Sequence, residues 1–161
     1  MFKRVKVNEY ERALLFREGR FHRLLDPGIH WIRGEAVLVD VRRRDTMIET
    51  APVLTRDLVP VGIRVRVVFR VTDPKAALMQ VHRYEASLDQ DARTAVHRSV
   101  STVALTDLSA EHNRMENTIQ DRLALEAVSY GLRVEDVAIV QVRFPRALRR
   151  KLKRMEVSGP R

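Results

Sequence analysis

The feature that most constrains the fold of this chain is an alternation of apolar and cationic residues near its middle. Between Ile63 and Val71, apolar side chains recur at every second position, and arginines fill most of the positions between them. Successive side chains of a β-strand point to opposite faces, so this period predicts a half-buried strand. The apolar face consists of Ile63, Val65, Val67, Phe69 and Val71, and the opposite face carries Arg64, Arg66 and Arg70.

Residues at both ends of this strand predict where it bends and where it stops. Upstream, Pro60 has no amide proton for a sheet and Gly62 weakens a strand interior, which predicts an edge, a bulge or a bend before Ile63. Downstream, Asp73 is a favoured helix N-cap residue and Pro74 suits the first helical position. We therefore expect the chain to pass from sheet to helix at Asp73.

The residues before this strand predict short antiparallel strands joined by tight turns. Gly19, Gly34 and the Pro27-Gly28 pair interrupt runs of apolar residues, and the connections are too short for crossover helices. Residues 1–6 fit either a first strand or the stub of a preceding element. The N-terminal half is thus predicted to be an antiparallel β meander. Its extended segments are expected at residues 13–16, 21–25, 29–32, 37–41 and 47–53.

Helical spacing of apolar residues replaces this pattern after residue 74. It predicts a short helix over residues 76–81 and a long helix over residues 84–104. Ser109 is a favoured N-cap residue for a third helix, which Gly131 is expected to end. One side of this third helix carries Met115, Ile119, Leu123, Ala127 and Tyr130.

Residues 134–144 predict a closing strand. It is apolar on much of both faces, which favours a position inside the sheet. Pro145 ends this strand, and a basic amphipathic helix starts after it. The sequence therefore predicts an α+β fold with a β meander, two to three helices and a closing strand. Its parts are an N-terminal stub or first strand at 1–6, one domain at 7–145, and the start of a basic C-terminal helix at 146–161.

Composition argues against several classes of functional site. There are no cysteines, which excludes disulfides, thiol nucleophiles and Cys-ligated zinc. No two of the five histidines have the i, i+4 spacing of a helical zinc site. The sequence also contains neither a glycine-rich phosphate loop nor a serine nucleophile elbow. We therefore expect no catalytic, cofactor or metal site and no enzymatic activity.

The charge of the chain points to an anionic partner. The formal net charge is +9 and the isoelectric point is about 10.7, which favours a membrane surface or nucleic acid. From Arg143 onward the only acid is Glu156. A basic amphipathic helix of this kind binds anionic lipid head groups, although a solubilising start of a longer helix fits the same pattern. The candidate lipid contacts are Lys3, Arg4, Lys6, Arg146, Arg149, Arg150, Lys151, Lys153 and Arg154.

Nucleic-acid binding is the alternative that charge alone suggests. The row of Arg64, Arg66 and Arg70 has the charge to contact phosphates, but sheets that bind nucleic acid usually place aromatic side chains among their cations. Phe69 is the only aromatic residue of this strand, and it belongs to the opposite face. A solvated or partner-facing strand surface is therefore the preferred interpretation of the row.

The hydropathy of the chain predicts a soluble polypeptide. No apolar run approaches the roughly 18 residues that a membrane-spanning helix needs. The first residues, MFKRVKVNEY, lack the apolar centre of a signal peptide.

A series of short motifs runs through most of the sequence in a fixed order. The motifs are Glu9-Tyr10-Glu11-Arg12, Phe16-Arg17-x-Gly19-Arg20-Phe21, Pro27-Gly28-Ile29-His30-Trp31, Asp40-x-Arg42, Thr55-Arg56-Asp57-x-Val59, Phe69-Arg70-Val71-x-Asp73-Pro74, and Gly131-Leu132-x-Val134 before Val137-x-Ile139 and Pro145. Over roughly residues 7–152, this order resembles the SPFH domain, also called band 7 or the prohibitin-homology domain. Within that superfamily the chain is most similar to the stomatin and slipin branch.

The resemblance implies a function as well as a fold. SPFH domains are non-enzymatic scaffolds that lie on a membrane, self-associate, and organise lipids or regulate neighbouring membrane proteins. The resemblance therefore implies a homo-oligomer at the cytoplasmic face of a membrane. Its implied partners are further copies of the chain, an anionic lipid surface and, by analogy with prokaryotic relatives, a membrane-bound serine protease. A basic nucleic-acid-binding module is the alternative function.

Overall fold

The structure is a computed structural model that describes residues 1–157, apart from the side chains at 152 and 155–157. The end of the predicted C-terminal helix segment, residues 158–161, lies outside the described residues. The strands are β1 (Lys3–Val7), β2 (Glu11–Arg17), β3 (Arg20–Leu25), β4 (Gly28–Ile32), β5 (Glu35–Asp40), β6 (Arg44–Glu49), β7 (Val53–Leu54), β8 (Pro60–Val71) and β9 (Leu132–Arg143). The helices are α1 (Pro74–Met79), α2 (Tyr84–Val100), α3 (His112–Val128) and α4 (Arg146–Val157), with a 3-10 turn at Leu105–Asp107.

The alternating strand lies at the centre of the main sheet, as its sequence predicts. β6 and β7 pair with successive stretches of β8, and β9 pairs with β8 from Gly62 to Val71. All five apolar residues of the predicted inner face are buried, and the three arginines are at least partly exposed. The strand begins at Pro60, three residues before the alternation, because β7 and the end of β9 pair with its first residues.

The position predicted for the closing strand inside the sheet is wrong. Among residues 1–157, β9 pairs only with β8, so it forms an edge of the sheet. Helix α3 covers part of this edge. The Glu116 carboxylate accepts a hydrogen bond from the Ile139 amide at 2.7 Å, and the Gln120 side chain donates one to the Glu135 carbonyl at 3.2 Å. The apolar character of β9 therefore reflects packing against α3 and not a second neighbouring strand.

The N-terminal strands are antiparallel, as predicted, but several of them pair with strands that are not their neighbours in the sequence. β1 pairs with β4, and β2 lies between β3 and β5 in a separate sheet. A small second core joins these two sheets and consists of Val7, Ala13, Leu15, Leu25 and Ile32. The N-terminal strands therefore form a layer with its own apolar interior.

The helices cover the main sheet, and their buried sides agree with the predicted apolar positions. Their ends differ from prediction. α2 stops at Val100, because the chain then forms the 3-10 turn at Leu105–Asp107. α3 begins at His112, and its N-cap is Glu111 in place of the predicted Ser109. No side chain within residues 1–157 caps this helix start.

The contact between Gly131 and Asp73 fixes the start of α1 against the end of α3. Asp73 caps α1 as predicted, because its carboxylate accepts a hydrogen bond from the Ala76 amide at 3.1 Å. The Thr72 and Asp73 amides both donate to the Gly131 carbonyl, at 2.9 and 3.1 Å. Gly131 has φ +74°, and a Cβ atom there would lie 2.2 Å from the Asp73 carbonyl oxygen. Only glycine fits this approach.

We predict that Gly131→Ala destabilises the fold by about 3 kcal/mol or more, because left-handed strain and a backbone clash add together. Gly19→Ala is the matched control. Gly19 also has φ +74°, but no atom of the described residues other than its two chain neighbours lies within 4 Å of the position of its Cβ, so Gly19→Ala should lose only about 1–2 kcal/mol. Urea denaturation of both variants measures the difference. Equal losses of stability in the two variants would show that the close approach of Gly131 to Asp73 does not contribute to the effect of Gly131→Ala.

Candidate membrane-facing surface

The ribbon formed by β1 and β4 presents one face to the domain and one face outward. On the inner face, Val7 and Ile32 are buried in the small N-terminal core. Because successive side chains of a strand point to opposite faces, the residues at the alternate positions point away from that core. They are Arg4 and Lys6 on β1 and Ile29 and Trp31 on β4. The inner face of the ribbon is therefore buried in the domain, and the outer face carries a second set of apolar residues that is exposed.

The outer face of the ribbon combines cations with large apolar side chains. Arg4 is paired with Trp31 and Lys6 with Ile29, and directly opposed residues in an antiparallel pair share a face. Trp31 is 69% exposed and Ile29 is 58% exposed, and Phe2, just before β1, is 69% exposed. We call these five residues the ribbon face.

The structure divides the predicted lipid contacts among three places. Arg4 and Lys6 belong to the ribbon face, whereas Lys3 is paired with the buried Ile32 and lies on the opposite side of the ribbon. The remaining predicted cations lie on α4 and are exposed. α4 follows β9 of the main sheet, so the N-terminal and C-terminal cations belong to different substructures. Whether any of these cations binds lipid stays a prediction.

The apolar members of the ribbon face are not among the residues predicted from sequence as lipid contacts. Residues 29–32 are Ile-His-Trp-Ile, which predicts a strand but does not decide which apolar residues face the core. The available signal was the spacing, because Trp31 and Ile32 are adjacent and must lie on opposite faces. The pairing of β4 with β1 then decides that Ile32 is buried and Trp31 is exposed.

The arginine row of β8 is occupied by ion pairs within the domain. Arg64 lies 3.1 Å from Glu49, Arg66 lies 4.0 Å from Asp136, and Arg70 lies 2.7 Å from Glu135. Their acidic partners come from the neighbouring strands β6 and β9. The row therefore carries far less uncompensated charge than its sequence suggests, and it gives the nucleic-acid alternative no support.

Glu49 joins two cations at the end of this charged face. Its carboxylate contacts both Arg64 and Arg143. The hydrogen bond from Arg64, together with the nearby charge of Arg143, lowers the pKa of Glu49 below its ordinary value. The pairing favours the ionised carboxylate in the folded chain.

Several motif residues have structural roles. Asp57 accepts hydrogen bonds from the Thr55 hydroxyl at 2.6 Å and the Leu105 amide at 3.0 Å, which lower the pKa of its carboxyl. Arg42 donates to Asp40 and lies over the Tyr10 ring, with the guanidinium carbon 4.1 Å from the ring centroid. These contacts hold turns and strand ends in place. These motif residues therefore contribute to the stability of the fold.

No helix within residues 1–157 is both long enough and apolar enough to cross a bilayer. The same part of the chain contains no group of three or more His, Asp or Glu side chains placed to hold a metal ion.

Comparison with known proteins identifies similar sequences over nearly the whole chain. A sequence model of the SPFH domain / Band 7 family matches residues 5–158. A stomatin homologue of Pyrococcus abyssi is 33% identical over 150 residues, covering 91% of this chain and 56% of the relative. A stomatin homologue of Pyrococcus horikoshii is 32% identical over 152 residues, covering 92% of this chain and 57% of the relative.

More distant relatives include the stomatin of Mus musculus. It is 26% identical over 151 residues, which cover 91% of this chain and 53% of the mouse protein. The chain thus spans about half the length of these curated relatives.

We predict that Glu49→Gln makes the stability of the chain less dependent on pH in the acid range. Because the pKa of Glu49 is lower in the folded state, its ion pairs stabilise the fold above the ordinary value of 4.5 and are lost as the pH falls below it. Urea midpoints measured between about pH 3 and 7 should therefore converge for the variant and the parent chain at low pH. Glu35→Gln is the control, because Glu35 lies at an exposed strand position and forms no ion pair within residues 1–157. A constant difference across the range would contradict this role.

Proposed function

Because the chain belongs to the SPFH domain / Band 7 family, we propose that it is a non-enzymatic scaffold module that lies on a membrane. The ribbon face is the single observation that carries this proposal. Apolar side chains exposed beside cations have the chemistry of a bilayer interface, where the ring of a tryptophan enters the head-group layer and the cations contact lipid phosphates. Lipid chains would cover apolar surface that the domain leaves in water.

Charge supports the choice of an anionic membrane. The net charge of +9 attracts the chain to a negative surface, and the acids of β6 and β9 pair with the arginines of β8 but not with Arg4 or Lys6 of the ribbon face. Each cation near an anionic surface contributes about 1 kcal/mol. The cytoplasmic leaflet carries the anionic lipids in cells, so we propose that the chain faces the cytoplasm.

Self-association is the second part of the proposed function. β9, β4 and β5 are edge strands among the described residues, and exposed edges are stable only when they are short, charged or covered. A scaffold made of several copies covers such edges and multiplies weak membrane contacts. Through such an assembly the chain would organise lipids or regulate membrane proteins, with a membrane-bound serine protease as one proposed partner.

Membrane binding by the ribbon face is tested by flotation with vesicles, followed by the fluorescence of the only tryptophan in the chain. Binding should shift Trp31 emission to the blue, because its ring leaves water. Ile29→Ser combined with Trp31→Ser should lower the bound fraction at least tenfold. Leu125→Ser combined with Val128→Ser is the control, since both are exposed on α3 outside the ribbon. Equal loss in both double variants, or no shift of Trp31, would contradict the proposal.

The cations of the ribbon face have a separate signature. Arg4→Gln combined with Lys6→Gln should weaken binding to anionic vesicles about 30-fold at low salt, since two cations contribute about 2 kcal/mol. Binding to neutral vesicles should not change, and salt should remove most of the difference. A loss of similar size on neutral vesicles would show that the substitutions disturb the fold.

Self-association is tested by light scattering on the parent chain over a range of concentrations. The mean mass should rise with concentration, and it should rise further when anionic vesicles concentrate the chain on a surface. A monomer under every condition would refute self-association by this part of the protein.

A further inference from the structure

Strand β5 forms an open edge of the small sheet in which β2 lies between β3 and β5. Within residues 1–157 it pairs only with β2, along the register from Glu35 to Asp40. In an antiparallel ladder every second residue exchanges hydrogen bonds with the neighbouring strand, so the other residues of β5 direct their amide and carbonyl groups away from β2. A further strand can pair with these groups.

Apolar side chains are exposed on both faces of this edge. Val37 is 41% exposed and Leu38 is 47% exposed, although adjacent residues of a strand point to opposite faces. Their partners on β2, Leu14 and Ala13, are completely buried. The exposure of Val37 and Leu38 therefore arises from the edge and not from a solvent-facing side of the sheet. One further strand beside β5 would cover both residues.

Other edges within residues 1–157 carry features that disfavour strand addition. Glu116 and Gln120 of α3 bind the backbone of β9, β7 has only two residues, and β3 carries Arg20 and Arg23. Covering side chains, short length and charge are the means by which proteins protect sheet edges. The sequence of β5, Glu-Ala-Val-Leu-Val-Asp, has four consecutive apolar residues and contains neither proline nor lysine.

The charges around β5 favour an antiparallel copy of the same strand as its partner. Glu35 begins the strand and forms no ion pair within residues 1–157, and three consecutive arginines follow the other end at 42–44. An antiparallel copy brings the acidic start of one strand to the arginines of the other, twice by symmetry. A parallel copy would place acid beside acid and arginine beside arginine, which is unfavourable.

The other charges near this edge do not cancel that preference. Asp40, at the end of β5, is paired with Arg42 at 2.6 Å, so it adds little repulsion. Arg43 is 60% exposed and shares its acidic partner, Glu135, with Arg70. Two arginines thus divide one carboxylate, and Arg43 retains positive charge for an acid of another chain.

We propose that two copies of the chain pair through β5 about a two-fold axis, which joins their three-stranded sheets into one continuous sheet. This inference rests on the self-association in the proposed function and names the surface that forms the contact. In the proposed register, Leu38 lies opposite Leu38 of the second copy, and Val37 lies opposite Val39 of the second copy. Glu35 lies opposite Val41 of the second copy, next to its arginines.

This register covers the exposed apolar residues better than its neighbours do. Pairing centred on Val39 would set Leu38 against Asp40, an apolar residue against an acid. Pairing centred on Val37 would set Glu35 against Val39 and move it away from the arginines. A shift by a single residue would place each side chain opposite one of the other face.

Engineered cysteines test the register, because the chain contains no cysteine of its own. Directly opposed residues lie within the range of a disulfide, so Leu38→Cys should form a covalent dimer on mild oxidation. Ala36→Cys is the control on the same strand face, since its two copies would lie about 14 Å apart along the strands. Leu125→Cys, on exposed α3, reports random collision. Absence of the dimer in Leu38→Cys, or equal yields in all three variants, would overturn the proposal.

Sedimentation equilibrium of charge variants tests the contact without a covalent bond. Leu38→Lys places like charges opposite each other at the two-fold axis, so the dissociation constant of the dimer should rise about tenfold or more. Leu125→Lys makes the same change at an exposed leucine of α3 and should associate like the parent chain. Ile29→Ser combined with Trp31→Ser should also associate like the parent in the absence of vesicles, because the ribbon face shares no residue with β5.

These measurements separate the β5 contact from self-association in general. A parent chain that forms oligomers, together with unchanged association of Leu38→Lys, would overturn the β5 pairing and leave the proposed scaffold intact. A parent chain that stays monomeric at every concentration would contradict self-association itself, and the edge of β5 would then be left for a strand of a different protein.

Discussion

The antiparallel pairing of β8 with β9 is the contact on which the rest of this structure depends. The two strands are joined along the register from Gly62 to Val71, although the three helices of the domain lie between them in the sequence. Their pairing forces those helices to pack back onto the sheet, where α2 and α3 bury the apolar face of β8. It also brings Gly131 against Asp73, which joins the end of α3 to the start of α1.

The pairing of β8 with β9 also determines which cations of the chain have acidic partners. Acids on β6 and β9 lie beside the arginines of β8 and pair with them. A chain of strongly basic composition thereby acquires a nearly compensated sheet face. The cations of β1 lie beside exposed apolar side chains instead, and in the proposed function an anionic membrane surface supplies their counter-charge.

Motif residues contribute both to the fold of this molecule and to its proposed functional surface. Asp73, Gly131 and Asp57 act through caps, close approaches and turns, which explains why a short series of motifs is enough to indicate the family. Ile29 and Trp31 of the ribbon face also belong to this series, in the motif Pro27-Gly28-Ile29-His30-Trp31.

Local rules of sequence determined much of this structure. The alternation along β8, the Asp73 cap, the helical spacing of α2 and α3, and the family all follow from residues close together in the chain. Strand order, the edge position of β9 and the late start of α3 did not follow, because they depend on contacts between distant segments. The outward direction of Trp31 was likewise decided only by tertiary packing, since a periodic pattern defines two faces but the partner strand or helix selects the buried one.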